Sequence, residues 1–214
     1  MQTSNFFLAL IVFLSLYMLG SSSLKGAIKA FSLQGMCLGC LPLTLSGGDL
    51  KIHILAIASG IFILKGLLIP RVLNYALREV KIREEMEPLI GYNASLLVGS
   101  GLVGVSFILS HRLPGSPAIR DSFLLPASLS TAMMGILLMI GRLKAVTQVV
   151  GYLVFENGIY LFGLAFSYQT PWIIEMGILL DVFVAVFIMG IVIHHIARTF
   201  DSINTKNLTQ LKDL

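Results

Sequence analysis

Apolar residues run in long blocks along this chain rather than in stripes of one or two residues per helical turn. Each block is close to the ~20 residues that a helix needs to cross a bilayer, and short polar segments separate the blocks. The pattern predicts an all-α integral membrane protein with about seven transmembrane helices. The predicted spans are 6–22, about 30–46, 53–72, 89–109, 123–140, about 146–166 and 173–197.

The composition supports a membrane location. Of the 214 residues, 56% are hydrophobic and only 12% are charged, against roughly 25% charged in a soluble domain. The isoelectric point of about 9.2 therefore describes the loops. Because the chain has no soluble basic domain, its positive charge indicates orientation and contact with lipid head groups. We expect the lipid bilayer as a partner and no nucleic acid.

The positive charges also predict an orientation. With the N-terminus outside, eleven of the 15 Lys and Arg residues fall in the inner connections and the tail. The positive-inside rule then favours an outer N-terminus and an inner C-terminus. The eleven are Lys25, Lys29, Arg71, Arg78, Lys81, Arg83, Arg142, Lys144, Arg198, Lys206 and Lys212.

Three ionisable residues interrupt the apolar spans. At 1.5 Å per residue, Lys65 lies about twelve residues into the third span, Glu156 about ten into the sixth and Asp181 about eight into the seventh. All three then lie near the midplane of the bilayer. A charge there costs roughly 2.5–3.5 kcal/mol, so such groups face protein or water and commonly serve ion or proton movement. We expect a lateral polar axis that relays protons.

Two further residues are candidates for the ends of this relay. Glu175 lies near the outer end of the seventh span, and His195 lies near its inner end on almost the same helical face as Asp181. Static alternatives remain open at this point. His195 can be a solvated helix-end histidine, Lys65 can extend its ammonium toward water, Glu156 can be a protonated packing residue, and Asp181 can form a fixed ion pair with Lys65.

No cofactor or metal is expected from the sequence. The two cysteines, Cys37 and Cys40, form CLGC inside an apolar run, without the further ligands that a metal or a cluster requires. Small packing residues are the simpler interpretation, because a free cysteine behaves as a small hydrophobe. The sequence also lacks a phosphate-binding loop and a nucleophile–base pattern.

Two segments carry a resemblance to a known family. They read GYLVFENGIYLFGLAF and EMGILLDVFVAVFIMGI, and ILKGLLIP around Lys65 belongs to the same likeness. The chain resembles component E of hydrogenase-4, a membrane subunit of formate hydrogenlyase-type assemblies. The resemblance implies a bacterial inner-membrane subunit that helps to conduct protons, carries no redox centre of its own, and has antiporter-like and other membrane subunits as partners.

The last three helices also resemble the K subunit of respiratory complex I. That subunit has the pattern G-L-E-x-x-x-N, and Gly151 and Asn157 match its spacing. Leu153 occupies the acid position, whereas Glu156 lies one turn further along. The likeness implies three regions: a four-helix part at 1–112, a K-like part at 119–200 and a polar cytoplasmic tail at 201–214.

Three functions follow as hypotheses. The first is a coupling subunit whose Glu156, Lys65 and Asp181 pass protons while redox chemistry occurs elsewhere in the complex. The second is a scaffold of the same complex, in which these charges are static links between helices. The third is an autonomous secondary cation or proton transporter.

Overall fold

A computed structural model describes residues 2–45, 52–79, 89, 91–113, 123–165, 177 and 180–190. These residues are almost entirely helical, which confirms the predicted all-α class. The helices are α1 (Gln2–Gly20), α2 (Leu24–Leu45), α3 (Ile52–Ile63), α4 (Ile69–Glu79), α5 (Tyr92–Arg112), α6 (Leu124–Ile140), α7 (Ala145–Ala165) and α8 (Leu180–Gly190), with a π turn at Leu64–Leu68 joining α3 to α4.

Within the described residues, five helical segments are long and apolar enough to cross a membrane. They are α1, α2, the continuous helix through the π turn, α5 and α7. α6 and α8 are shorter apolar helices in the described part of the chain. The chain is therefore a membrane protein, and the count of seven spans stays a prediction.

The second helix differs from its predicted bounds. α2 begins at Leu24 rather than near residue 30, because Ser23 caps it: the Gly26 N–H donates to the Ser23 hydroxyl at 3.2 Å. α2 also continues past Pro42 to Leu45. Pro42 lies in the last turn of α2, so few helical hydrogen bonds follow it.

The third helix contains a π turn that was not predicted. A π turn accommodates one extra residue, which rotates the following helix by about 100° relative to an uninterrupted α-helix. The rotation brings the buried residues of α4, such as Ile69 and Leu73, onto the side that already buries Ile61 of α3. The whole length of this helix can therefore pack against α2.

α6 and α7 form a closely packed antiparallel hairpin. Gly151 of α7 lies against the α6 backbone, where a Cβ atom would be 2.6 Å from the Met139 nitrogen. Gly158, two turns later on α7, lies equally close to the backbone of Ala132. Small residues at such positions let helix backbones approach in lipid, where no hydrophobic force drives helices together.

Arg142, in the turn between α6 and α7, ties three helix ends together. Its guanidinium donates to the Leu19 carbonyl oxygen at 2.6 Å and lies 4.9 Å from the centroid of the Tyr92 ring. Burial lowers the pKa of this guanidinium from its ordinary value, and Tyr92 opposes the shift. The end of α1, the start of α5 and the α6–α7 turn thus lie on one side of the bundle.

Candidate functional site

A cluster of ionisable and amide side chains lies in the interior of the bundle. Lys65 lies in the π turn, Glu156 and Asn157 lie near the middle of α7, and Asp181 lies at the start of α8. The exposed fraction is 2% for Lys65 and Glu156, 1% for Asp181 and 0% for Asn157. The cluster is thus hidden from the surface by the surrounding helices.

Lys65 stands between the two carboxyl groups. Its Nζ atom is 3.4 Å from Glu156 Oε1 and 3.2 Å from Asp181 Oδ2. The sequence predicted that these three residues lie at one depth, and the structure brings them into contact. Their common depth therefore reflects a direct interaction among three helical segments.

α2 holds the π turn that carries Lys65. The Ser32 hydroxyl donates to the Gly66 carbonyl oxygen at 2.5 Å. Gly35 lies so close that a Cβ atom there would be 2.6 Å from the carbonyl carbon of Lys65. Only glycine permits this approach. The backbone of Lys65 is thus fixed against α2, while its side chain extends toward α7 and α8.

The charges of the cluster do not balance when every group is ionised. One ammonium faces two carboxylates, which leaves one net negative charge in a buried site. Lys65 pairs with both carboxyls, so its single positive charge can compensate only one of them. A buried charge without such compensation is strongly unfavourable. A proton retained on one carboxyl makes the cluster neutral, so the arrangement can hold and release one proton.

A second arm leads away from Lys65 through two amides. Lys65 Nζ donates to Asn157 Oδ1 at 3.1 Å, and Asn157 Nδ2 donates to Gln34 Oε1 at 3.1 Å. Gln34 Nε2 in turn donates to the Ser15 hydroxyl at 2.9 Å and to the Ile11 carbonyl oxygen at 3.2 Å. We call this chain the amide arm. It links α7 through α2 to α1.

The amide arm was largely missed from the sequence. The sequence indicates Asn157 only through its match to the K-subunit pattern, and it does not indicate Gln34 or Ser15 as site residues. Gln34 did carry a signal, because an amide in the middle of an apolar helix is unfavourable unless it is hydrogen-bonded. The other two relay candidates, Glu175 and His195, lie outside the described residues.

The described residues contain no group of three or more His, Cys, Asp or Glu side chains that could hold a metal ion. Cys37 and Cys40 are free thiols, with Cys37 buried and Cys40 half-buried in α2. The positions of both are compatible with the packing role expected from the sequence.

The chain is similar along almost its whole length to several curated proteins. It is 26% identical over 205 residues to hydrogenase-4 component E of Escherichia coli K12, which covers 95% of this chain and 94% of that protein. The same identity holds for hydrogenase-4 component E of Shigella flexneri. This chain is a homologue of hydrogenase-4 component E. The result confirms the family resemblance noted in the sequence.

The chain is also similar to a protein from another bacterium. An uncharacterized protein of Mycobacterium tuberculosis is 26% identical over 205 residues, which covers 95% of this chain and 93% of that protein. No family model matches the chain. No solved structure matches it either.

In this chain, the α7 carboxyl lies one turn beyond the acid position of the K-subunit pattern. Leu153 is fully buried in the apolar core, whereas Glu156 faces Lys65. On α7, position 156 rather than position 153 therefore carries the carboxyl that contacts Lys65.

Proposed function

We propose that this chain is a membrane-arm subunit of a respiratory, complex I-like hydrogenase assembly, and that it takes part in proton translocation coupled to redox chemistry elsewhere. Its similarity to proteins named hydrogenase-4 component E supports the hydrogenase assignment. The proposed setting is a formate hydrogenlyase-type complex in the bacterial inner membrane. Antiporter-like and other membrane subunits would be its partners, and the chain would need no cofactor of its own.

The proposed topology has seven transmembrane helices, with the N-terminus outside and the C-terminus inside. The distribution of Lys and Arg supports it. This topology places the end of α1, the start of α5 and the α6–α7 turn on the inner side, and Arg142 contacts both of these helix ends from that turn. The proposal retains the regions 1–112 and 119–200, followed by a polar tail at 201–214.

The observation that carries the relay proposal is the position of Lys65 between Glu156 and Asp181. In the neutral state, Lys65 is an ammonium, one carboxyl is ionised and the other keeps its proton. Release of that proton to an acceptor on one side leaves the cluster with one negative charge. Uptake of a proton from the other side restores neutrality. A change in electric field caused by redox chemistry elsewhere in the complex would favour proton release in one state and proton uptake in the other.

The relay needs access to both surfaces. We assign this role to Glu175 toward the outer surface and to His195 toward the inner surface, from their sequence positions at the two ends of the seventh span. A histidine suits such a position, because its ordinary pKa lies near physiological pH.

The test is to replace each carboxyl in the assembled complex. Glu156→Gln and Asp181→Asn keep the shape of each side chain and remove its titration. We expect proton translocation in inverted membrane vesicles to fall at least about tenfold, which corresponds to a barrier raised by about 1.4 kcal/mol. Glu85→Gln, in the charged segment between α4 and α5 along the sequence, is the matched control. Unchanged translocation in intact complexes with both substitutions would refute the relay.

One observation favours the scaffold as a second candidate. The ion pairs and the amide arm together connect the π turn, α1, α2, α7 and α8, as a static link between helices would. In that case the same carboxyl substitutions reduce assembly of the complex and leave translocation per assembled complex unchanged. The autonomous transporter predicts instead that the purified protein alone moves cations or protons in liposomes.

A further inference from the structure

We propose that Gln34 is a positioning residue that fixes the direction of the amide arm and thereby holds the ammonium of Lys65 at the carboxyl cluster. The inference rests on the proposed relay, because Gln34 is proposed to position Lys65, the central residue of that relay. Gln34 does not contact either carboxyl. It acts through Asn157, the residue that touches Lys65.

The two ends of the amide arm fix the orientation of every group between them. An ammonium can only donate hydrogen bonds, and a backbone carbonyl can only accept them. Gln34 therefore turns its NH₂ group toward Ile11 and Ser15, which leaves its oxygen for Asn157. Asn157 must then donate to Gln34, and its own oxygen is left for Lys65. The carbonyl oxygen of Ile11 thus sets the direction of the whole arm.

This direction suits a positive charge on Lys65. Each amide presents its oxygen toward the ammonium and its NH₂ group away from it. If the Asn157 side chain turned over, two donors would face each other in a buried site, and both would lose their acceptors. Gln34 opposes this turn because its oxygen faces the NH₂ group of Asn157. A complete arm therefore leaves Asn157 with one stable orientation.

Within the described residues, the amide arm ends at a group that does not pass protons onward. Its last acceptor is the backbone carbonyl of Ile11, which the Ser15 hydroxyl also contacts at 2.9 Å. Neither amides nor a backbone carbonyl takes up a proton near neutral pH, so this side of Lys65 positions the ammonium without passing protons. Proton transfer is then confined to the side of Lys65 that faces Glu156 and Asp181.

Neighbouring residues of α2 hold the rest of the lysine. Ser32 and Gly35 fix the backbone of the π turn, and Gln34 lies between them in sequence. One segment of α2 thus positions both the backbone of Lys65 and, through Asn157, its ammonium group. Gln34 is fully buried, with an exposed fraction of 0%, so solvent cannot replace it as a partner of Asn157.

The test measures the contact between Lys65 and Asn157 without using translocation. Full-length protein in lipid bilayers, isotopically labelled at lysine Nζ and asparagine Cγ, gives a through-space solid-state NMR signal for this pair. Lys65→Met identifies the signal by removing it. We expect Gln34→Met, which keeps the length of the side chain, to lose the signal. We expect Gln34→Asn, which is too short to reach both neighbours, to lose it as well.

Ser15→Ala is the matched control. It removes one acceptor of Gln34 Nε2 and leaves the Ile11 carbonyl in place, so we expect the signal to be retained. A signal that persists in Gln34→Met or in Gln34→Asn would overturn the proposal. Loss of the signal in Ser15→Ala would overturn the assignment of Ile11 as the group that sets the direction.

A second measurement separates positioning from a purely structural role. In the assembled complex, we expect Gln34→Met to reduce proton translocation about tenfold, because Asn157 then loses its hydrogen bond to the charged Lys65. Ser59→Ala, at an exposed residue outside the amide arm whose hydroxyl donates to Ala56 of its own helix, should stay within about twofold of the unsubstituted protein. Loss of the NMR signal with full translocation would overturn the positioning role. The NMR result stands by itself if the carboxyl substitutions show that the relay is wrong.

Discussion

Lys65 and Asp181 form an ion pair between the π turn and α8, with 3.2 Å between Nζ and Oδ2. The two residues are far apart in the chain, and both side chains are almost fully buried. Buried pairs gain little over a well-packed apolar pair, because both charges lose their hydration. Removing one partner alone destabilises the fold much more, because the other charge then remains buried without its partner. This asymmetry gives a measurable signature of the pair.

The first prediction is a non-additive double-mutant cycle. Lys65→Met leaves two carboxyls without their cation, and we expect the free energy of unfolding to fall by about 3–5 kcal/mol. Adding Asp181→Asn removes one stranded carboxylate and should restore part of that loss. The free energy can be followed by detergent-induced unfolding of the protein in mixed micelles.

The control for this cycle places the second substitution away from Lys65. Lys65→Met combined with Ser59→Ala, at an exposed residue whose hydroxyl bonds only within its own helix, should show additive effects. If Lys65→Met and Asp181→Asn are also additive, the ion pair does not contribute a coupling energy, and the contact in the structure has no energetic role.

The similar depth of Lys65, Glu156 and Asp181 could be predicted from the sequence, because a charge within an apolar span is conspicuous. Each group had to avoid lipid, and counting residues from the span ends set all three at a similar depth. Depth does not determine which helices are neighbours. The sequence therefore left a relay and a static pair as alternatives, and the structure adds the contact without choosing between them.

The amide arm and the π turn could not be predicted from the sequence in the same way. A single Gln in an apolar helix is less conspicuous than a charge, and its partners on α1 and α7 depend on helix packing. The π turn adds one residue to an already apolar run, so the hydrophobic pattern hardly changes.

The second prediction concerns the close approach of α6 and α7. Gly158→Ala places a methyl group against the backbone of Ala132, which cannot move as a flexible side chain would. Overpacking of this kind costs typically about 1–3 kcal/mol. We expect the substitution to lower the thermal unfolding temperature of the protein in nanodiscs.

Gly104→Ala on α5 is the matched control, because a Cβ atom there would meet nothing within 4 Å. Alanine is a better helix former than glycine by about 1 kcal/mol, so this variant should be as stable as the unsubstituted protein or slightly more stable. Equal destabilisation by both substitutions would show that the α6–α7 distance is not the cause.

The third prediction concerns the side of the membrane on which the α6–α7 turn lies. Leu143, in that turn, is 58% exposed, and the proposed topology places it inside. Thr3 is exposed near the start of α1, and α1 ends beside the turn through the contact of Leu19 with Arg142. Because α1 is long enough to cross the membrane, Thr3 and Leu143 should lie on opposite sides.

Single cysteines at these two positions, with Cys37 and Cys40 replaced by alanine, test this arrangement. A membrane-impermeant maleimide should label Thr3→Cys in right-side-out vesicles and Leu143→Cys only in inverted vesicles. The reverse pattern would invert the proposed topology and leave the fold intact. Labelling of both cysteines from one side would contradict the crossing of α1, and with it the interpretation of the Lys and Arg distribution. Labelling of both cysteines from one side would also remove the basis for the proposed proton access to the cluster around Lys65. The assignment of His195 to the inner end and Glu175 to the outer end depends on the predicted topology.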